Sequence, residues 1–213
     1  MSILKKLCLG ALVGAIALAP VSAKVVTGTQ EDTNMKLKYP LVYTDNLLSQ
    51  RAINTDIASY VGQARKMYYN DHIYQVNQSY DVTYEDKNLV SLMLTTSYYH
   101  AGAAHGMYNV QGLVYNKMTG QRIPLYNYVK IASAKQLDQG VRSGILGFYN
   151  GAHKKDSIHE GWAVNYASDN YILRGHGVVE LIYQPYELGP YAMGKTFIQF
   201  TPKAVEYFNR MNG

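Results

Sequence analysis

Tyr74-Gln75-Val76-Asn77-Gln78-Ser79-Tyr80-Asp81-Val82-Thr83-Tyr84 is the stretch that decides the fold class. Tyr74, Val76, Tyr80, Val82 and Tyr84 alternate with Gln75, Asn77, Ser79, Asp81 and Thr83. A two-residue repeat of this kind belongs to a strand with one face in a core and the other toward water. Leu89–Tyr99 and Met107–Tyr115 continue it, joined by the polar turn Glu85-Asp86-Lys87-Asn88 and a Gly-rich stretch at 101–106. The three segments therefore read as an antiparallel meander, followed by a turn at Asn116–Gly120 and a short extended piece, Ile123-Pro124-Leu125.

Upstream, Lys24–Asn34 reads as a polar leader and Met35–Tyr43 as a first strand, which Pro40 assigns to a sheet edge. Asp45 or Asn46 can cap a helix in which Ile53, Ile57, Tyr60, Val61, Ala64 and Met67 share an apolar face. Downstream, helical spacing returns over Ser133–Phe148, with Leu137, Val141, Ile145 and Phe148 on one side, and a loop around His153 follows. Strands are expected at Ala163–Tyr166, Tyr171–Arg174, Val178–Tyr183 and Lys195–Thr201, with a turn at Gly175-His176-Gly177. Pro202 after Thr201 opens a C-terminal helix. The order predicts an α+β fold, helices packed on an antiparallel sheet of meander and hairpins, in a single domain over 36–213 behind a leader at 24–35.

Residues 1–23 read as a cleavable signal peptide. Lys5 and Lys6 precede the apolar stretch Leu7–Ala19, and Val21-Ser22-Ala23 is the small-residue pattern cut by signal peptidase, placing cleavage between Ala23 and Lys24. Thirteen apolar residues fall short of the roughly 20 that span a bilayer, so no membrane span is expected in the mature chain. The rival reading is a short uncleaved anchor. Cleavage removes Cys8, the only cysteine, so the remaining 190 of 213 residues must fold by burial without a disulfide. It also lowers the basic count from 20 to 18 against 15 acids, about +3. Such a mild bias, with no Lys/Arg run, argues against nucleic acid. All 21 tyrosines lie in the mature part, where most suit sheet packing and the rest suit contact surfaces.

The residues spell out no catalytic chemistry. His100 and His105 are five apart, which in a regular strand sends them to opposite faces. His153 and His159 lie near Asp156 and Glu160 without matching a known metal spacing. The mature chain has no thiol nucleophile, no Gly-x-Ser-x-Gly elbow and no phosphate-cradling glycine loop. Neither a metal nor a cofactor is expected.

Two segments exceed what a scaffold needs: Tyr98-Tyr99-His100-Ala101-Gly102-Ala103-Ala104-His105-Gly106 and Gln184-Pro185-Tyr186-Glu187-Leu188-Gly189-Pro190-Tyr191-Ala192-Met193-Gly194. Their structural readings are a tight turn and a self-packed loop. With Tyr115-Asn116, Thr119-Gly120 and Ile123-Pro124-Leu125 between them, they resemble the extracellular domain of the RsiV anti-sigma factors. They are also similar to the N-terminal non-catalytic region of PdaC-type peptidoglycan deacetylases. The resemblance runs over Lys36–Pro202. It implies a mixed α+β domain at the bacterial surface that binds lysozyme in one case and accompanies a wall-modifying enzyme in the other. The sigma-binding segment, membrane helix and catalytic domain have no counterpart here, so signalling and deacetylation are not implied. The expected function is an exported envelope binding domain recognising a lysozyme-like protein or a wall glycan through Tyr98, Tyr99, His105, Tyr186, Glu187 and Tyr191. The alternatives are an envelope hydrolase using His105 with a nearby carboxylate, and a ligand-free structural protein.

Overall fold

The computed structural model describes residues 24–213, so the expected signal peptide at 1–23, with Ala23 at its cleavage point, lies outside the described residues. Val25–Asp32 (β1) and Met35–Val42 (β2) form a hairpin paired along its whole length. The polar leader is thereby corrected to a strand. Val25, Val26, Gly28 and Gln30 are only half-buried, and a strand at the rim with one wet face needs few apolar residues to belong to a sheet.

β2 runs parallel to Gln75–Glu85 (β3) over Met35–Leu37 alone. Pro40 therefore sits in an inner strand, but where β3 no longer pairs with it. Further along, the Val42 N–H donates to Asn54 Oδ1 at 2.9 Å, and the Val42 carbonyl accepts from Asn54 Nδ2 at 2.8 Å. One side-chain amide thus replaces the absent strand. Asn54 lies on Leu47–Tyr69 (α1), which Asn46 caps by accepting from the Leu48 and Ser49 N–H groups.

β3, Leu89–Tyr99 (β4) and Met107–Asn116 (β5) make the expected meander, and the sheet order is β1-β2-β3-β4-β5. Val90, Leu92, Leu94, Leu113 and Tyr115 on one face pack against Ile53 and Ile57 of α1. Met93 and Val110 point the other way, onto Ile172, Ile182 and Phe197. A bulge between Val82 and Tyr84 changes the parity of β3. Tyr84 consequently turns away from α1 and into the second core.

That second core belongs to a second sheet, so the α+β expectation holds with two sheets stacked between helices. Its strands are Gly147–Tyr149 (β6), Tyr171–Gly175 (β7), Val178–Tyr183 (β8) and Thr196–Phe200 (β9), in the order β6-β9-β8-β7. Ala134–Arg142 (α2) and Pro202–Asn212 (α3) cover its outer face, setting Leu137, Ala204 and Phe208 against Leu181, Tyr183, Ile198 and Phe200. Thr201 caps α3 with Pro202 in its first turn, as expected. The helical run over Ser133–Phe148 is shorter than its spacing suggests. It stops at Arg142, the chain turns at Gly144, and Phe148 becomes a strand residue. Ala163–Tyr166 forms no strand, and the Val164 N–H is held instead by Asp138 Oδ1 at 3.1 Å. Among the described residues no helix is long and apolar enough to cross a membrane.

The sheets meet where β5 passes β7. A Cβ on Gly112 would lie 2.0 Å from the Tyr171 carbonyl oxygen, so only glycine allows the two backbones this close. Asn170 sits beside the contact, donating to the Val110 carbonyl at 2.8 Å and accepting from the Gly112 N–H at 2.7 Å. Gln184, just past β8, accepts from the Val110 N–H and donates to the same carbonyl, both at 2.8 Å. The outer rim of β5 is thus closed by side-chain amides rather than left open for another strand. Gly112→Ala is expected to force the sheets apart and cost roughly 3 kcal/mol. For a chain of this size that lowers the thermal midpoint by roughly 6–12 °C, measured by calorimetry or circular dichroism.

Candidate functional site

Gln184 opens the loop 184–194, and its bonds to Val110 bring that loop beside the start of β5. There it meets the turn that joins β4 to β5. The Tyr191 hydroxyl donates to the Gly106 carbonyl at 2.6 Å, and His105 Nδ1 donates to the same oxygen at 2.9 Å. With both rings tied to one acceptor, His105 and Tyr191 stack at 4.2 Å between centroids and 26° between planes. Tyr186 extends the row, its ring 5.5 Å from Tyr191 and inclined by 32°. The two segments singled out in the sequence therefore form one aromatic surface.

Behind it lies a groove of about 320 Å³. Gln75 and Asn77 of β3, Ser97 and Tyr99 of β4 and Tyr108 of β5 line it together with Tyr191. Its remaining lining residues are Tyr98, Gly106 and Met107, so the lining holds no charged side chain. Tyr99 is braced by donating to the Ala103 carbonyl at 2.9 Å, and Tyr74 meets it edge-on at 6.3 Å. Burial raises the pKa of Tyr108 above the ordinary tyrosine value.

Not every expected contact residue belongs to this surface. Strand alternation sends the Tyr98 ring to the opposite face, where it packs with Met35, Leu37 and Val76. Glu187 turns inward, accepting from the Tyr166 hydroxyl at 2.7 Å and the Gln184 N–H at 2.6 Å. It fastens the loop instead of facing a ligand. Burial, and then the Glu187 bond, push the Tyr166 hydroxyl well above its usual range. Lys24, on the other side of the expected cleavage point, is exposed and accepts from the Tyr43 N–H at 3.0 Å. Gln75, Asn77, Ser97 and Tyr108 escaped the sequence reading. They share the parity of Asp81, Met93 and Val110, a signal that marks the face without telling which part of it is uncovered.

The histidines separate. His105 has no carboxylate partner, His153 bonds Glu180 at 2.8 Å, and His159 stands 3.6 Å from Asp156. Among the described residues no three His, Cys, Asp or Glu side chains gather as a metal site. A larger cleft of about 560 Å³ lies between Tyr171 and the Ile123–Ile131 segment. Its cation, Arg122, is already engaged by Asp56 at 3.3 Å and the Gly112 carbonyl at 3.1 Å.

No protein-family model and no curated protein matches the chain. Among solved structures it is similar to a DUF3298 family protein from Pseudomonas aeruginosa PAO1, at 14% identity and a TM-score of 0.55. That match covers 88% of this chain and 94% of that one. A DUF3298 member from Bacteroides fragilis NCTC 9343 is similar at 19% identity and a TM-score of 0.53, covering 88% and 92%. The fold is that of DUF3298 proteins, a domain of unknown function. At these identities the likeness extends to the fold alone.

Within this DUF3298-like fold the aromatic surface depends on Gly194, which ends the loop at φ +68°, ψ −154°. That region is essentially closed to other residues, and a Cβ there would also lie 2.7 Å from the Tyr108 hydroxyl. Gly194→Ala is expected to cost about 2–3 kcal/mol in chemical denaturation. It should also expose the 184–194 loop to limited proteolysis under conditions that are expected to leave the wild-type loop intact.

Proposed function

We propose that the chain is an exported envelope domain that binds wall glycan across the His105, Tyr191 and Tyr186 row and the groove behind it. The observation that carries this reading is Tyr186. Its backbone is left-handed, at φ +70°, while the residue stays 47% exposed. A bulky residue in that region is strained, and half exposure is a poor return in burial. The arrangement makes sense if the ring is presented to a partner.

Stacked aromatic faces suit the apolar faces of sugar rings, and the amides of Gln75 and Asn77 can serve hydroxyl and acetamido groups. The groove volume lies at the small end of ligand sites, which start at about 300 Å³. Export rests on the basic, apolar and small-residue pattern of residues 1–23. The resemblance to RsiV and PdaC-type domains supports an envelope role and offers a lysozyme-like protein as the other partner. The uncharged lining favours glycan, because it gives a strongly basic protein no electrostatic attraction.

Retention on purified peptidoglycan, and not on immobilised lysozyme, is the expected result at moderate salt. Asn tolerates left-handed backbone, so Tyr186→Asn is expected to keep or raise the thermal midpoint while weakening glycan binding about tenfold. Absence of retention on peptidoglycan, or full binding by Tyr186→Asn, overturns the proposal.

A further inference from the structure

Lys195 follows Gly194 and lies against Tyr108, just outside the lining of the groove. Its N–H donates to the Tyr108 hydroxyl at 2.7 Å, and its Nζ lies 5.9 Å from the centroid of the Tyr108 ring. That ring is a wall of the groove. The Lys195 side chain is half-buried, yet it takes part in none of the ion pairs of the described residues.

The surrounding charges leave it unanswered. Glu180 is fully buried on the same face of the second sheet, but its oxygens are occupied by Arg174 at 2.7 Å and by His153 and Gln199 at 2.8 Å each. Asp81 on β3 is exposed and acts on Lys195 only through its field. Burial holds the ammonium below the ordinary lysine range; the field of Asp81 opposes it in part, and the Arg174 charge adds a smaller push in the same direction as burial. A cation that loses water on folding without gaining an anion is an uncompensated charge. A ligand anion at the Tyr108 wall would supply the missing partner.

We propose that Lys195 is the anion-recognising residue beside the Tyr108 wall of this groove, and that the glycan bound there carries a free carboxylate on a ring substituent, as the lactyl ether of a muramic-type amino sugar does where no peptide is attached to it. The inference rests on the glycan reading above and adds to it the chemical class of the ligand. The aromatic row and the amides hold the neutral ring, and the ammonium holds the acid through a charge-assisted hydrogen bond.

The test is calorimetric titration with two disaccharides, chitobiose as the neutral probe and N-acetylglucosaminyl-N-acetylmuramic acid as the acidic one. Wild type is expected to bind the acidic probe about tenfold more tightly, with a preference that shrinks as salt rises. The preference should also fall as pH rises through the Lys195 titration, since only the protonated amine pairs with the acid. Lys195→Met should reduce the acidic probe to the affinity of the neutral one, leave the neutral affinity unchanged and keep the thermal midpoint. Lys195→Arg should retain the preference. Equal binding of both probes by wild type, or an undiminished preference in Lys195→Met, overturns the inference and leaves glycan binding standing. If neither probe binds, both fall together.

Discussion

The contact between β5 and β7 at Gly112 is the constraint from which the rest of the arrangement follows. A missing side chain lets two sheets touch backbone to backbone, and the amides of Asn170 and Gln184 convert the approach into hydrogen bonds on Val110 and Gly112. Three consequences come from one contact. The rim of the five-stranded sheet is sealed, the inner face of that sheet gains a core with Ile172, Ile182 and Phe197, and the loop after Gln184 is delivered to the turn at Gly106. The groove is what remains of the inner face beyond the reach of the second sheet.

Much of the fold was legible because it rests on local signals. The alternation from Tyr74 to Tyr84 required a half-buried strand, Asn46 and Thr201-Pro202 marked two helix starts, and Gly175-His176-Gly177 marked a hairpin. What stayed hidden depends on partners distant in sequence. Val25–Asp32 is a strand because Met35–Val42 pairs with it, not because of its own composition. The strands after Tyr171 are largely buried on both faces, since one face meets the first sheet and the other meets α2 and α3. A one-sided sheet was the natural expectation from the meander, and two stacked sheets were not readable. The overlong helix at Ser133–Phe148 shows the same limit, because Phe148 keeps the helical spacing by coincidence while pairing with Ile198.

The site divided along the same line. Gly- and Pro-bounded loops with surplus aromatic residues drew attention to His105, Tyr186 and Tyr191 from composition alone. Tyr98 and Glu187 looked equivalent in sequence, yet strand parity removes the first and two internal hydrogen bonds absorb the second. The strand residues that line the groove could be found only once it was known which stretch of the inner face the second sheet leaves bare.

Tyrosine does two separable jobs in this chain. Tyr115, Tyr171 and Tyr183 are buried, their hydroxyls donating to Asp56, the Ile123 carbonyl and the Tyr166 carbonyl. Burial pushes the Tyr183 hydroxyl up to about 12 and the other two higher still. Around the groove the hydroxyls of Tyr99 and Tyr191 also bond backbone carbonyls, but in the loops, at Ala103 and Gly106. Each of these residues fastens a loop by its hydroxyl while its side chain lines the groove, which suits a domain with no disulfide to hold its loops. The strain at Tyr186 persists because its surroundings over-determine it. Glu187 ties the loop to Gln184 and Tyr166, and Pro190 and Gly194 frame the turn that carries Tyr191. A loop held at so many points presents its rings at little further entropic cost on binding, which is the property a recognition surface needs and a mere connection between strands does not.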